Sequence, residues 1–412
     1  MEKSILFISP FHPDNSLSPR HRAVHNHVEY FKSKGYSISF IHLSNEKIKI
    51  KDDIEFIRLQ LPGIIEVFKN IFFKALIKKD FSLQTCLFYS NNIHSFLKNK
   101  KIENNYNLVF FESIRTAPYH RIFKSKFKII DLGDLISRRY MLLFKSKIAV
   151  GNIFGQFDFK SKLIRFFLES FIVQKMILLV ESKLVQMAEK NAVTQFDSII
   201  LVSDYEKKML QKYNPRATIH HIPNIDFNSE TSIPSFKRNK VISYFGILNN
   251  PHNEHSILYF LNNIYKQLIE VNNNVHFNIY GKSPSDKIKN AASKFQNISI
   301  KGYVDDLENS IKDSNLLVVP IVAGSGVKTK VLDAMRWGVP IVSSEEGVSG
   351  LLNIEESGIL VSKSDNDFVD KINSILNDEI FSNLCSEKSL IHYDKYYSKK
   401  SIYKKYDFII IR

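Results

Sequence analysis

Residues 324–350 read Gly-Ser-Gly-Val-Lys-Thr-Lys-Val-Leu-Asp-Ala-Met-Arg-Trp-Gly-Val-Pro-Ile-Val-Ser-Ser-Glu-Glu-Gly-Val-Ser-Gly, and this stretch decides the fold. An apolar run, Asn315 to Pro320, leads into it as a buried strand. The small-residue loop then opens a helix expected over Val327 to Trp337, which Gly338 stops before a second apolar run, Val339 to Val342. Strand, glycine loop, helix and strand is how α/β proteins present backbone N–H groups to a phosphate. Two lysines and an aspartate lie in the first turns of that helix, a layout suited to a diphosphate and a ribose.

The rest of the chain extends the pattern outward. Ser4 to Ser9, a polar loop through Pro10, Pro13 and Pro19, a helix from Arg22 to Lys34, Gly35 and the strand Ser37 to His42 form a β-loop-α-β unit. Leu108 to Phe111, Lys128 to Leu132 and Ser198 to Val202 read as later strands of the same sheet. Between them lie helical stretches Lys160 to Val180 and Glu181 to Ala192, and Asp204 to Lys212 follows with Ser203 or Asp204 as its cap. A domain boundary is expected near Pro223 and Asn224, giving a first domain over 1–222 and a second over 223–392. The second set of strands is Val241 to Phe245, His276 to Tyr280, Ile298 to Lys301, Leu316 to Val319 and Val339 to Val342, with helices such as Ser256 to Val271 between them. The fold class is therefore α/β, two doubly wound parallel-sheet domains.

Composition sets the outer limits. The chain has 412 residues, 44% hydrophobic, with 14 Gly and 12 Pro, as expected of a folded chain of two or three domains. Two cysteines, Cys86 and Cys385, give neither metal spacing nor a disulfide framework, so a reducing compartment is the expectation. Met1 runs directly into a strand, which reads as the absence of a signal peptide. The longest apolar stretch, Leu163 to Val180, is interrupted by Arg165, Glu169 and Lys175, so no spanning helix is expected.

The charge is asymmetric. Residues 1–222 carry 35 Lys and Arg against 20 Asp and Glu, whereas residues 223–412 carry 22 of each, so the whole net charge of +15 lies in the first half. Such a half attracts polyanions: nucleic acid, an anionic bilayer surface or a phosphorylated acceptor. No zinc-finger, RNP-like or helix-turn-helix pattern organises it for nucleic acid, which is set aside. Ile64 to Lys79 reads as a basic helix rich in Phe and Ile, which fits either the headgroup plane of a membrane or a core helix with a lysine-bearing solvated face.

These residues carry a resemblance. The chain resembles the GT-B-fold glycosyltransferases of family 4, retaining enzymes that use nucleotide-sugar donors. The similar segments in the second half are Phe245-Gly246-Ile247-Leu248 with Asn253, Asn278-Ile279-Tyr280-Gly281, Ile300 to Leu307 and Gly324 to Gly350. Looser similarity covers Asp131 to Tyr140, Leu201 to Glu206 and Ile222-Pro223-Asn224.

The resemblance implies two Rossmann-like domains facing a cleft, with residues 393–412 returning to the first. It implies a glycan or lipid-linked acceptor at a cytoplasmic, peripheral membrane location, in bacterial-type surface polysaccharide synthesis. It implies no metal and no cofactor, the nucleotide sugar being a substrate. Gly246, Asn253, Tyr303 and Val304 would meet the donor, Ser325, Gly326 and Val327 would supply N–H groups, Lys328 and Lys330 the charge, and Asp333 the ribose contact.

Two departures stand out. Ser325 falls where many members place a glutamate, and Gly133 where many place a histidine facing the sugar, leaving Asp134 as the catalytic candidate or as a helix cap. Arg20 and Arg22 are candidates for a donor or acceptor phosphate, or for capping the helix that follows. His12, His21, His25 and His27 suggest a metal, but the sequence offers no partner carboxylate cluster. A nucleotide-sugar epimerase of the same fold and a non-catalytic scaffold in a glycan-assembly complex remain open beside the transferase.

Overall fold

The computed structural model describes residues 3–14, 18–46, 54–103, 106–123, 126–145, 170–225, 234–322 and 327–410. Two compact units emerge: Met1–Asn224 with Tyr403–Arg412, and Ile225–Ile402. The last helix, Lys399–Ile410, thus contributes its second part to unit one.

Unit one holds a seven-stranded sheet in the order β3-β2-β1-β4-β5-β6-β7, every neighbouring pair parallel. The strands are β1 (Ser4–Ser9), β2 (Ser37–Leu43), β3 (Glu55–Leu59), β4 (Leu108–Glu112), β5 (Phe127–Gly133), β6 (Ser198–Leu201) and β7 (Ile219–His221). The central strands are apolar on both faces because helices cover both, as parallel sheets require. Ile5, Leu6, Phe7 and Ile8 are all buried, and the Phe7 ring stacks on Phe40 at 5.7 Å and Phe110 at 4.9 Å. The order reverses between β1 and β4, so the crevice at their carboxyl ends is the position where such sheets bind ligands.

Helix α1 (Pro19–Ser33) starts on a proline already set at a helical φ and ends before Gly35, whose φ of +76° suits glycine. Helix α2 (Ile64–Asn70) runs into a π-helical turn over Ile71–Ile77. Helices α3 (Leu83–Phe88), α4 (Asn91–Glu103) and α5 (Ile136–Lys145) follow. A single helix α6 (Phe171–Gln195) replaces the two helical stretches expected there, whose first ten positions lie outside the described residues. Helix α7 (Asp204–Gln211) is capped by Ser203, whose side chain accepts from the Glu206 N–H.

Unit two holds a six-stranded parallel sheet in the order β10-β9-β8-β11-β12-β13. Its strands are β8 (Val241–Phe245), β9 (His276–Tyr280), β10 (Ile298–Gly302), β11 (Leu316–Val319), β12 (Ile341–Ser344) and β13 (Leu360–Ser362). Strand β12 begins two residues after the expected Val339 because Val339 and Gly338 close the preceding helix. The order reverses between β8 and β11, and the helices after those strands flank that point. They are α8, which runs Pro251–Tyr259 into a π-helical turn at Phe260–Tyr265, and α9 (Thr329–Arg336).

Candidate functional site

In unit two the glycine-bearing strand ends lie against one another. A Cβ on Gly281 would run into the Gly246 carbonyl, so only glycine permits this approach. The Gly281 N–H donates to the Gly302 carbonyl at 2.7 Å, joining the ends of β9 and β10. Gly246 in turn leaves room for Lys330, since a Cβ there would stand 3.2 Å from Nζ. The three loops similar to the donor segments of the resembled family are thereby gathered at one edge of one sheet.

Helix α9 starts at Thr329 rather than Val327, because Lys328 is extended at φ −84° and ψ 111° and acts as the cap residue. Val327 therefore belongs to the loop and offers no first-turn N–H. Ser325 and Gly326 lie outside the described residues. Val331, Leu332, Ala334 and Met335 bury one face of α9, which turns Lys330 and Asp333 to the other. The Gly338 N–H donates to the Met335 carbonyl and the Val339 N–H to Ala334, ending the helix with Gly338 at φ +66°.

Lys330 is held at this edge by two neutral partners. Its ammonium donates to the Tyr244 hydroxyl at 2.8 Å and to Asn253 Oδ1 at 3.1 Å, and it lies 4.0 Å from the Tyr244 ring centre. The Tyr244 hydroxyl donates to the same Asn253 oxygen at 2.8 Å, fixing that amide. Burial, and then the neighbouring Lys328, pull the Lys330 pKa down to about 7. Among the described residues no carboxylate pairs with it. A cation held by neutral dipoles, without a counter-charge, is arranged to receive an anion.

Around it, Lys328 reaches the Ser349 hydroxyl at 3.4 Å. Asp333, one helical turn past Lys330, approaches the buried Arg336 at 3.8 Å. Tyr303 is exposed beyond β10 with the Lys282 ammonium 4.1 Å from its ring centre, and Val304 is half-buried beside it. Tyr244 and the Asn253 amide orientation were not legible as a lysine clamp, because the pairing spans β8 and two separate helices.

In unit one the carboxyl ends of β4 and β5 carry a buried network. Arg20, in the first turn of α1, pairs with Glu112 and lies 3.6 Å from Asp131. His27 Nε2 meets Asp131 at 2.9 Å, and its other ring nitrogen shares a hydrogen bond with the Tyr406 hydroxyl. Burial would raise Asp131, but Arg20 and His27 overcome it and hold its pKa below the usual carboxylate range. For Glu112 burial wins over Arg20, and its pKa is pushed well up. The Arg20 charge is thus answered within the network, so Arg20 is not available as an uncommitted phosphate ligand.

The expectation that the histidines lack carboxylate partners is corrected here. His27, Glu112 and Asp131 bring ligand atoms within 4.8 Å of one another, although the residues are far apart in sequence. The Arg20 guanidinium reaches both carboxylates, taking the place of a cation, so the donor set fits an ion pair better than a metal. His12 and His21 pack edge to face at 4.7 Å, and burial lowers both their pKa values. Asp134 pairs with Arg139 at 2.9 Å, an engagement that orients the start of α5.

That start is held by two glutamates the sequence did not single out. Glu206 accepts the Leu135 N–H at 3.1 Å, and Glu189 accepts the Ser137 N–H at 3.2 Å and the Ser137 hydroxyl at 2.5 Å. Burial raises Glu206 to about 7 and Glu189 to about 8.

Known proteins match part of this sequence and its fold. A family model described as Glycosyl transferases group 1 matches residues 239–378, the greater part of unit two. A Klebsiella pneumoniae protein described as an uncharacterized 44.6 kDa protein in the cps region is 29% identical over 116 residues, covering 26% of this chain and 30% of that protein's length. Among solved structures, TarM superposes with a TM-score of 0.66 at 12% identity, covering 100% of this chain and 99% of TarM. Anabaena HepE in complex with UDP and glucose gives 0.63 at 11% identity, covering 100% and 99%. WaaG, a glycosyltransferase involved in lipopolysaccharide biosynthesis, gives 0.61 at 12% identity, covering 99% and 100%. The chain has the GT-B fold, and residues 239–378 of its second unit match the model of the glycosyltransferases group 1.

Proposed function

We propose that this protein moves a sugar from a nucleotide-sugar donor to a glycan or lipid-linked acceptor, with retention of anomeric configuration, in bacterial-type surface polysaccharide synthesis. The observation that carries the reading is Lys330, an ammonium that no carboxylate pairs with among the described residues, beside the glycine-lined edge of unit two. The donor diphosphate would take the place of the missing counter-charge, with Lys328 as a second cation. Asp333 would accept from the ribose hydroxyls, and the loop at Tyr303 and Val304 would receive the base. HepE, solved with UDP and glucose, and the pneumococcal GtfA, solved with UDP and GlcNAc, support a uridine nucleotide as the first donor to test.

In the reaction, the bond from the anomeric carbon to the diphosphate oxygen breaks and one to the acceptor oxygen forms on the same face. The acceptor proton passes to the departing diphosphate. Lys330, Lys328 and the start of α9 lower the barrier by stabilising charge on that leaving group. Neither a metal nor a cofactor is required by this scheme, and a cytoplasmic enzyme fits the supply of nucleotide sugars.

A thermal-shift screen of UDP-, GDP- and ADP-sugars tests donor binding, because a ligand bound only by the folded state raises its apparent stability. With the responding donor and a glycan acceptor, free nucleoside diphosphate and an α/β assignment of the product by NMR test transfer and retention. An isomerised donor without nucleotide release would replace this reading with an epimerase. Donor binding with neither outcome would replace it with a non-catalytic scaffold.

A further inference from the structure

Helix α2 and its π-helical continuation bear an apolar surface that nothing in unit one covers among the described residues. Ile64, Ile65, Phe68, Phe72, Phe73, Leu76 and Ile77 are each between 51 and 70% exposed. Large side chains at this density are rarely left in water unless they meet a partner. The opposite side of the same segment is seated: Val67, Asn70 and Ala75 are buried, and Asn70 donates to the Tyr89 carbonyl at 2.8 Å. The segment is therefore docked on the protein through one side while it presents seven apolar side chains on the other.

The π-helical turn is what keeps those seven in phase. At about 100° per residue an uninterrupted α-helix would carry Phe73 and Ile77 round toward the seated side. Bonding to the fifth residue on winds the chain more slowly, by roughly 80° per residue. With that turn over Ile71–Ile77, the later four apolar residues return to the arc set by Ile64, Ile65 and Phe68. The result is one broad stripe rather than a spiral.

Charge selects the partner. Residues 64–79 contain four lysines and a single acid, Glu66, which is engaged in accepting the Asn91 N–H at 2.9 Å. Lys69, Lys78 and Lys79 are exposed alongside the stripe. Lys74 differs: its ammonium sits 3.5 Å from the Tyr89 ring centre and 4.9 Å from that of Phe81, and it fastens the helix to the protein. A stripe of Phe, Ile and Leu bordered by lysines matches the acyl boundary and anionic headgroups of a bilayer.

We propose that Ile64–Ile77 is a membrane-docking face that lies in the headgroup plane of an anionic bilayer. The stripe enters the acyl boundary while Lys69, Lys78 and Lys79 meet the lipid phosphates. The proposal is independent of donor chemistry, so vesicle binding and nucleotide binding can fail separately.

The test is co-sedimentation of the full chain with vesicles of phosphatidylcholine alone, or of phosphatidylcholine mixed with phosphatidylglycerol. Binding to the anionic vesicles that weakens with salt is expected. Lys69→Gln, Lys78→Gln and Lys79→Gln combined should lower the partition coefficient by roughly a hundredfold. Phe72→Ser with Phe73→Ser should also abolish binding, with the unfolding midpoint unchanged because both rings are exposed. Wild-type protein that stays unbound, or folded variants that bind like wild type, would overturn the proposal. So would loss of a concentration-dependent dimer in the serine variant without loss of vesicle binding, which would assign the stripe to a second copy of the chain.

Discussion

The Arg20 guanidinium occupies the space that a side chain on Gly133 would take. Gly133 has φ +71°, its N–H donates to Asp131 at 2.7 Å, and Arg20 folds over it to reach Glu112 and Asp131. The space beside Gly133, where the resemblance puts the histidine of many members, thus holds a cation delivered from α1 and already paired. Gly133→Ala meets two obstacles at once, a left-handed φ and a displaced buried guanidinium. Strain of about 1 kcal/mol and partial loss of a buried ion pair give an expected destabilisation of roughly 2–4 kcal/mol. Urea unfolding of the variant measures it; a midpoint equal to wild type would mean that Arg20 moves aside without loss.

Lys330→Met should separate binding from stability. Removing one charge-assisted contact to a diphosphate weakens donor affinity by about 10–100-fold. The same change removes a desolvated cation from a site without a counter-charge, so the ligand-free protein should become more stable. Burial, then Lys328, lower this lysine to about 7 from an ordinary 10.5, so between those values the unfolded chain binds the extra proton and wild-type stability rises with pH. That rise should shrink in the variant. Donor affinity of the wild type should fall as pH rises above about 7, because binding must then recruit a proton. A calorimetric titration in two buffers of different ionisation enthalpy reads that uptake directly, and unchanged uptake in Lys330→Met would assign the proton elsewhere.

Much of both sheets was legible because their central strands are short apolar runs bounded by polar loops, as in Leu316 to Val319. The strands that escaped are β3, β7 and β13. β3 is only half-buried, and β7 and β13 are three residues long, so neither burial nor length marks them. The glycine-lined edge of unit two was legible in Gly246, Lys330 and Asp333 because each stands within a local glycine or helix signal, and its role as a donor site is the proposal made above. The unit-one network was not. His27 and Asp131 are 104 residues apart, and a histidine on α1 looks the same in sequence whether it faces solvent or a carboxylate. The π-helical turn at Ile71–Ile77 was invisible for a related reason: Ile64 to Lys79 fits an α-helical period well enough that only the fold reveals the slower winding.

Asp333→Asn tests the ribose contact without removing the side chain's volume. An ionised carboxylate accepting from two hydroxyls contributes more than an amide can, so nucleotide affinity should fall by about 10-fold or more. The diagnostic readout is discrimination: wild type should prefer UDP to 2′-deoxy-UDP, and the variant should have lost most of that preference. An equal preference in both proteins would remove Asp333 from the ribose and leave it to its neighbour Arg336, 3.8 Å away.

Glu189→Gln tests the carboxyl that holds the start of α5. The amide can still accept the Ser137 N–H and donate to the Ser137 hydroxyl, so little should change near pH 5, where the wild-type carboxyl is protonated in the fold. Burial raises the folded pKa to about 8, above the ordinary 4.5 of an unfolded glutamate. Between those values the folded state binds the extra proton, so its contribution is present below pH 4.5 and is lost as pH rises through 8. The glutamine keeps both partners, with the bond to the Ser137 hydroxyl reversed, and has no such loss, so the variant should exceed wild type at pH 9 by on the order of 3 kcal/mol. Glu206, raised to about 7 beside it, keeps a loss of the same sign over a narrower pH window in both proteins. Guanidinium unfolding at pH 5 and pH 9 gives the two differences. Curves that stay parallel between wild type and variant would show that Glu189 ionises in the folded state as readily as in the unfolded one.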